Sequence, residues 1–158
     1  MSPSRHAPGA PRHSYALRPG ADRAALTLVV SAALDVLAPV LATAWIDEPP
    51  LGSVPAEAAG ALERLRAAAR AQVQEGRLPR TDGPHLGVDV DVSDPGQASA
   101  FAELAAWTTA GEAYTADEDE VVRAGDTGGS LVLSLTDQEH TALLQRLPAT
   151  AAGLLEPR

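Results

Sequence analysis

One stretch of the chain restricts the possible folds more than any other: AALTLVVSAALDVLAPVLATAWI, at positions 24–46. Its apolar content is typical of a membrane-spanning segment. Arginines precede it and Asp47 and Glu48 follow it, which fits the positive-inside pattern. The Ala-Thr-Ala sequence at 42–44 also resembles a signal-peptidase cleavage site. One hypothesis is therefore an exported or membrane-tethered protein that uses residues 24–46 as a signal or anchor.

The polar residues of this stretch favour a soluble helix instead. They recur at every fourth position, together with one proline: Arg23, Thr27, Ser31, Asp35, Pro39, Thr43 and Asp47. This spacing makes a narrow polar stripe on a helix, and an aspartate near the centre of a membrane span costs about 2.5–3.5 kcal/mol. We therefore predict a mostly buried helix in a cytoplasmic protein without membrane contact. Asp35 should be hydrogen-bonded or wet, and Pro39 should bend or end the helix near Ala38. A strand over residues 26–30 followed by a short helix is a third alternative.

Charge is divided unevenly along the 158 residues. Residues 1–80 hold nine Arg and seven acidic residues (net +2), whereas residues 81–158 hold three Arg and fourteen acidic residues (net −11). The acidic half argues against nucleic-acid binding, which needs clustered positive charge, and it suits a protein partner with a basic surface. The chain has no Cys and no Lys, which excludes disulfides, thiolate metal sites and lysine chemistry. We predict no cofactor.

Short-range signals divide the chain into three parts. Residues 1–21 contain four Pro and no apolar periodicity, which predicts a disordered arm. Residues 22–148 are predicted to form a single α+β domain, and residues 149–158 a C-terminal tail. The element order is α-α-β-α-β-β-α, which predicts a small, mainly antiparallel sheet with helices packed on one face. One further strand would complete this sheet. Three alternatives are open for this strand. The segment EAYTA (112–116) supplies it, the second subunit of a homodimer supplies it, or the sheet lacks it.

Three aspartates in the segment DVDVSD are weak candidates for metal ligands: Asp89, Asp91 and Asp94. Alternate strand residues point the same way, and oxygen ligands suit Ca²⁺ or Mg²⁺. Asp89 and Asp91, together with His85, would make a divalent-metal-dependent enzyme, which is one alternative function. However, the spacing departs from the EF-hand pattern, and Asp94 followed by Pro95 is a sufficient helix start. We therefore assign no metal ligand and no catalytic residue, and an enzyme is the less favoured class.

The favoured function is that of a small acidic, non-enzymatic accessory protein, such as an inhibitor, an immunity-type protein or a regulatory partner. Four consecutive acids lie beside a predicted hairpin and suit a basic partner, while two nearby aromatic residues are candidate anchors. The predicted partner-binding residues are Trp107, Tyr114, Asp117, Glu118, Asp119 and Glu120.

Overall fold

The structure is a computed structural model that describes residues 9–77 and 86–158. Its strands are β1 (His13–Leu17), β2 (Leu41–Ile46), β3 (Val88–Val90), β4 (Ala110–Thr115), β5 (Glu120–Gly125), β6 (Ser130–Leu135) and β7 (Leu155–Pro157). Its helices are α1 (Arg23–Leu37), α2 (Ala59–Gln74), α3 (Pro95–Leu104), α4 (Asp137–Arg146) and α5 (Ala149–Ala152). Within the described residues the strands form one antiparallel sheet in the order β3-β2-β4-β5-β6-β1-β7. The predicted α+β class is confirmed.

The helices cover one face of this sheet, as the alternation of buried residues along the strands shows. Ala44, Ala113, Val122, Leu133 and Tyr15 lie side by side on β2, β4, β5, β6 and β1, and all five are buried. The residues between them on each strand point to the opposite face, because side chains alternate along a strand. The core is therefore the layer between the sheet and the helices.

The apolar stretch at 24–46 is divided between two elements. As predicted, α1 ends beside Pro39, and Asp35 lies at the surface with 66% of its side chain exposed, 3.9 Å from Arg146. The prediction of one bent helix through residue 46 is wrong, because residues 41–46 form β2. There Ala44 and Ile46 are buried by the helices, in the two-residue period of a strand. Among the described residues, no helix combines the length and apolarity needed to cross a membrane.

The predicted disordered arm contains a strand. His13–Leu17 forms β1, which lies between β6 and β7, and Tyr15 and Leu17 are buried. The prediction is wrong here because the strand has five residues and obtains its hydrogen bonds from partners more than a hundred positions away. Residues 1–8 lie outside the described part of the chain. The predicted tail likewise contains α5 and β7, and Leu155 of β7 is buried.

The predicted order α-α-β-α-β-β-α matches α1, α2, β3, α3, β5, β6 and α4. The further strand that would complete the sheet is β4, which contains most of EAYTA and pairs with both β2 and β5. The chain itself therefore supplies this strand, and no second subunit is needed for it.

Candidate functional site

The sheet face opposite the helices carries aromatic and charged side chains. Asp89 on β3, Trp45 on β2, Glu112 on β4 and Arg123 on β5 stand directly beside one another. Tyr114 lies two residues further along β4, on the same face. We call these five residues the open face. Four of them are partly buried, and Arg123 is exposed, so the side chains shield one another while leaving area for contact.

Side-chain hydrogen bonds join Tyr114 to Glu112 and Arg123 to Glu120. The Tyr114 hydroxyl donates to Glu112, and this bond raises the pKa of Tyr114 to about 12, with partial burial and the charge of Glu112 adding to the effect. Arg123 binds both oxygens of Glu120 at 2.6 Å. The hydroxyl proton of Tyr114 is therefore committed to Glu112, and this bond fixes the orientation of the Tyr114 side chain. This arrangement suits recognition better than proton transfer.

A β-bulge makes the Glu120–Arg123 pair possible. Ala113 lies opposite Val122, but the next residue, Tyr114, lies opposite Glu120, so Val121 is an extra residue in β5. In a regular strand, residues three apart point to opposite faces. With the bulge, Val121 and Val122 are both buried, and Glu120 reaches the same side as Arg123.

The turn between β4 and β5 presents three neighbouring carboxylates. Asp117, Glu118 and Asp119 are exposed, and none of them forms an ion pair with another described residue. We call them the acidic turn. Thr115 holds it: its N–H donates to the Asp119 carbonyl at 3.0 Å, its carbonyl accepts from the Glu118 N–H at 3.0 Å, and its hydroxyl accepts from the Asp119 N–H at 3.2 Å. The charges are therefore carried on an ordered backbone.

An apolar surface adjoins the acidic turn. Leu41 pairs with Thr115, which places the α1–β2 connection beside the β4–β5 connection at the same end of the sheet. Val40 in this connection is 39% exposed, and Pro39 is exposed as well. This exposed apolar area, bordered by charged side chains, is available for contact with another protein.

The structure does not bring all six predicted binding residues together. Tyr114, Glu120 and the acidic turn lie at one end of β4, whereas Trp107 precedes the other end of this six-residue strand, roughly 17–20 Å away. The Arg23 guanidinium lies 4.0 Å from the centre of the Trp107 ring. Trp45, the tryptophan of the open face, is not among the predicted binding residues, because the sequence pattern predicts a helix where the structure has β2.

The three weak metal candidates have local structural contacts. Asp91 accepts hydrogen bonds from the Ser93 hydroxyl at 2.5 Å and N–H at 3.0 Å, and these bonds lower its pKa. Asp94 caps α3 by accepting from the Gly96 N–H at 2.8 Å. Asp89 belongs to the open face. In the described ranges, no group of three or more His, Asp and Glu side chains is arranged to hold a metal ion. His85 lies outside these ranges.

Comparison with known proteins identifies no relative of this chain. No protein-family model matches the chain, and no curated protein or solved structure is significantly similar to it.

Proposed function

We propose that the chain is a non-enzymatic interaction protein, such as an inhibitor, an immunity-type protein or a regulatory partner. It binds a protein with a basic surface through the acidic turn and the adjoining end of the open face. One observation carries this proposal: three exposed carboxylates, without an ion pair to any residue that the structure describes, lie on an ordered turn beside exposed apolar area and the aromatic side chain of Tyr114.

The ordered backbone supports tight recognition. Fixing a flexible loop on binding costs conformational entropy, and the hydrogen bonds of Thr115 reduce this cost because the turn is already ordered. The charge of Glu120 is compensated by Arg123, so the proposed attraction comes mainly from Asp117, Glu118 and Asp119. Such charges raise the association rate and select a basic partner.

Two aromatic residues are the proposed anchors. Thr43 pairs with Tyr114 and Trp45 pairs with Glu112, so Trp45 and Tyr114 lie diagonally across neighbouring strands on one face. Tyrosine and tryptophan contribute large contact areas at a small loss of side-chain entropy and are frequent hot spots. In this proposal the partner covers Tyr114 first and extends toward Trp45.

Carbodiimide cross-linking tests the proposed contact. This reagent joins carboxylates to amines without a spacer, and the chain has no Lys, so side-chain cross-links can form only with a partner's lysines. We expect a complex captured from the source cells to be cross-linked at Asp117, Glu118 or Asp119, as mapped by mass spectrometry. Capture should weaken steeply with salt, because the Debye length falls from about 10 Å at 0.1 M to about 3 Å at 1 M.

Matched variants identify the residues responsible. The triple variant Asp117→Asn, Glu118→Gln, Asp119→Asn should lose the captured protein. The control variant makes the same change in net charge at three exposed acids that form ion pairs outside the acidic turn: Glu63→Gln, Glu75→Gln and Glu156→Gln. This variant should retain the captured protein. Equal capture by both triple variants, or cross-links confined to other carboxylates, would contradict the proposal.

We also propose that the protein is located in the cytoplasm and that it forms a homodimer. Fractionation of the source cells checks the first. Light scattering at several concentrations checks the second, and a mass near 16.3 kDa at all of them would exclude the dimer.

A further inference from the structure

A groove on the helix side of the molecule is separate from the proposed partner surface. It has a volume of about 580 Å³ and lies between α1, the segment preceding α2, and the end of α3. Leu28, Pro55 and Trp107 supply apolar walls, and Leu28 is 50% exposed. This volume lies within the range of small-molecule sites, which is about 300–1,000 Å³.

Two carboxylates line the same groove. Glu57 is exposed and Glu103 is partly buried, and neither forms an ion pair or a side-chain hydrogen bond with another residue in the part of the chain that the structure describes. Partial burial of a charge without a partner is unfavourable. A positively charged group that enters the groove therefore stabilises the Glu103 carboxylate more than the exposed carboxylate of Glu57.

The only cationic residue that lines this groove among the described residues is Arg23, and its contacts fix it in place. Its guanidinium donates to the Ala106 carbonyl at 3.1 Å and to the Thr127 carbonyl at 3.1 Å, and it lies over the Trp107 ring. The groove then holds two carboxylates and one guanidinium, a net charge of −1. A ligand with a single positive charge complements it.

We propose that this groove binds a small organic cation, a primary amine or guanidine carried on an apolar body. The apolar body packs against Leu28, Pro55 and Trp107, and the cationic group pairs with Glu103 and Glu57. This assignment does not depend on the protein partner, since no residue that lines the groove belongs to the acidic turn or the open face.

Fluorescence of a single tryptophan tests the proposal. The chain has two tryptophans, so the variant Trp45→Phe leaves Trp107 as the only one. At pH 7 this variant is titrated with 3-phenylpropylamine and, separately, with 3-phenylpropanoate, which has the same apolar body and the opposite charge. We expect a saturable fluorescence change with the amine, with a Kd on the order of 1 mM, and none with the acid.

Substitutions locate the charge that recognises the amine. Glu103→Gln should weaken binding about five- to tenfold, and Glu57→Gln combined with it should abolish saturation. Glu63→Gln, at an exposed acid of α2 outside the groove, should leave the Kd unchanged. Calorimetry with the wild-type chain and the Glu103 variant gives the same comparison without the Trp45 substitution.

Three different results would overturn the proposal. Equal binding of the amine and the acid would show an apolar site without charge selection. No saturable signal for the amine up to about 10 mM would show that the groove binds no small cation. Binding of an amphipathic basic peptide without binding of the free amine would assign the groove to a protein partner instead.

Discussion

Glu139 connects the N-terminal strand to the last long helix, and its neutralisation should destabilise the fold measurably. Its carboxylate binds Arg12 with distances of 2.6 and 3.2 Å and accepts from the Thr136 N–H at 2.9 Å. We consider the variant Glu139→Gln. Glutamine retains an oxygen for the capping box, so the variant removes the charge of the Arg12 pair and leaves the helix cap in place.

The exposure of the two side chains sets the magnitude. They are 17% and 16% exposed, so solvent screens the pair less than an exposed pair, which contributes about 0–1 kcal/mol. A hydrogen bond to a charged group contributes about 1.5–3 kcal/mol, and we expect Glu139→Gln to lower the free energy of unfolding by about 2 kcal/mol. For a chain of this size, that change lowers the Tm by about 4–8 °C.

A second ion pair provides the control. Arg18 and Glu156 also join the β1 region to the C-terminal elements, but their side chains are 54% and 49% exposed. Glu156→Gln should therefore lower the free energy of unfolding by less than about 1 kcal/mol. Urea unfolding followed by circular dichroism gives both values, and hydrogen exchange should show faster exchange of the β1 amides in Glu139→Gln only. Equal losses in the two variants would refute the argument from burial.

Two further predictions concern the open face and a turn. In a Tyr15→Phe background, absorbance at 295 nm should show Tyr114 ionising at a pH of about 12, and Glu112→Gln should move this pKa down toward the ordinary value of about 10. Because the folded-state pKa lies above the unfolded one, the stabilisation linked to Tyr114 should be complete below pH 10 and be lost as the pH rises to 12. A single transition of Tyr114 near pH 10 would contradict this. Gly128→Ala should destabilise the protein by about 2–4 kcal/mol, since its φ is +96° and a Cβ would lie 2.5 Å from a backbone carbonyl oxygen. Gly153→Ala, where φ is −68° and the nearest atom lies at 3.4 Å, should change stability by less than about 0.5 kcal/mol in urea unfolding.

Local signals were sufficient for several elements. Asp94 before Pro95 correctly marked the start of α3, and the start of α4 carries the Thr136–Glu139 capping box. Pro39 correctly marked the end of α1. In each case a side chain and a backbone group within four residues determine the structure, so the sequence contains the whole interaction.

Elements that depend on distant partners could not be predicted in the same way. Strand β1 has five residues, and β2 has an apolar sequence that also suits a helix, so pairing with other strands decides both. The candidate site shares this property. Trp45 joins the open face only because β2 pairs with β4, and the Glu120–Arg123 pair depends on a bulge whose position follows from strand register.

The position of β1 in the sheet also has a consequence for synthesis in the cell. Arg12, immediately before it, donates a hydrogen bond to the carbonyl of Ser134 in β6, 122 residues later in the chain. At about 5–20 residues per second, a ribosome needs roughly 6–24 s to add those residues. During this time Tyr15 and Leu17 have no sheet to pack into, while Arg12 and Arg18 flank them as charges that discourage self-association. Strand β1 must therefore wait for β6, which is synthesised later, before it can join the sheet.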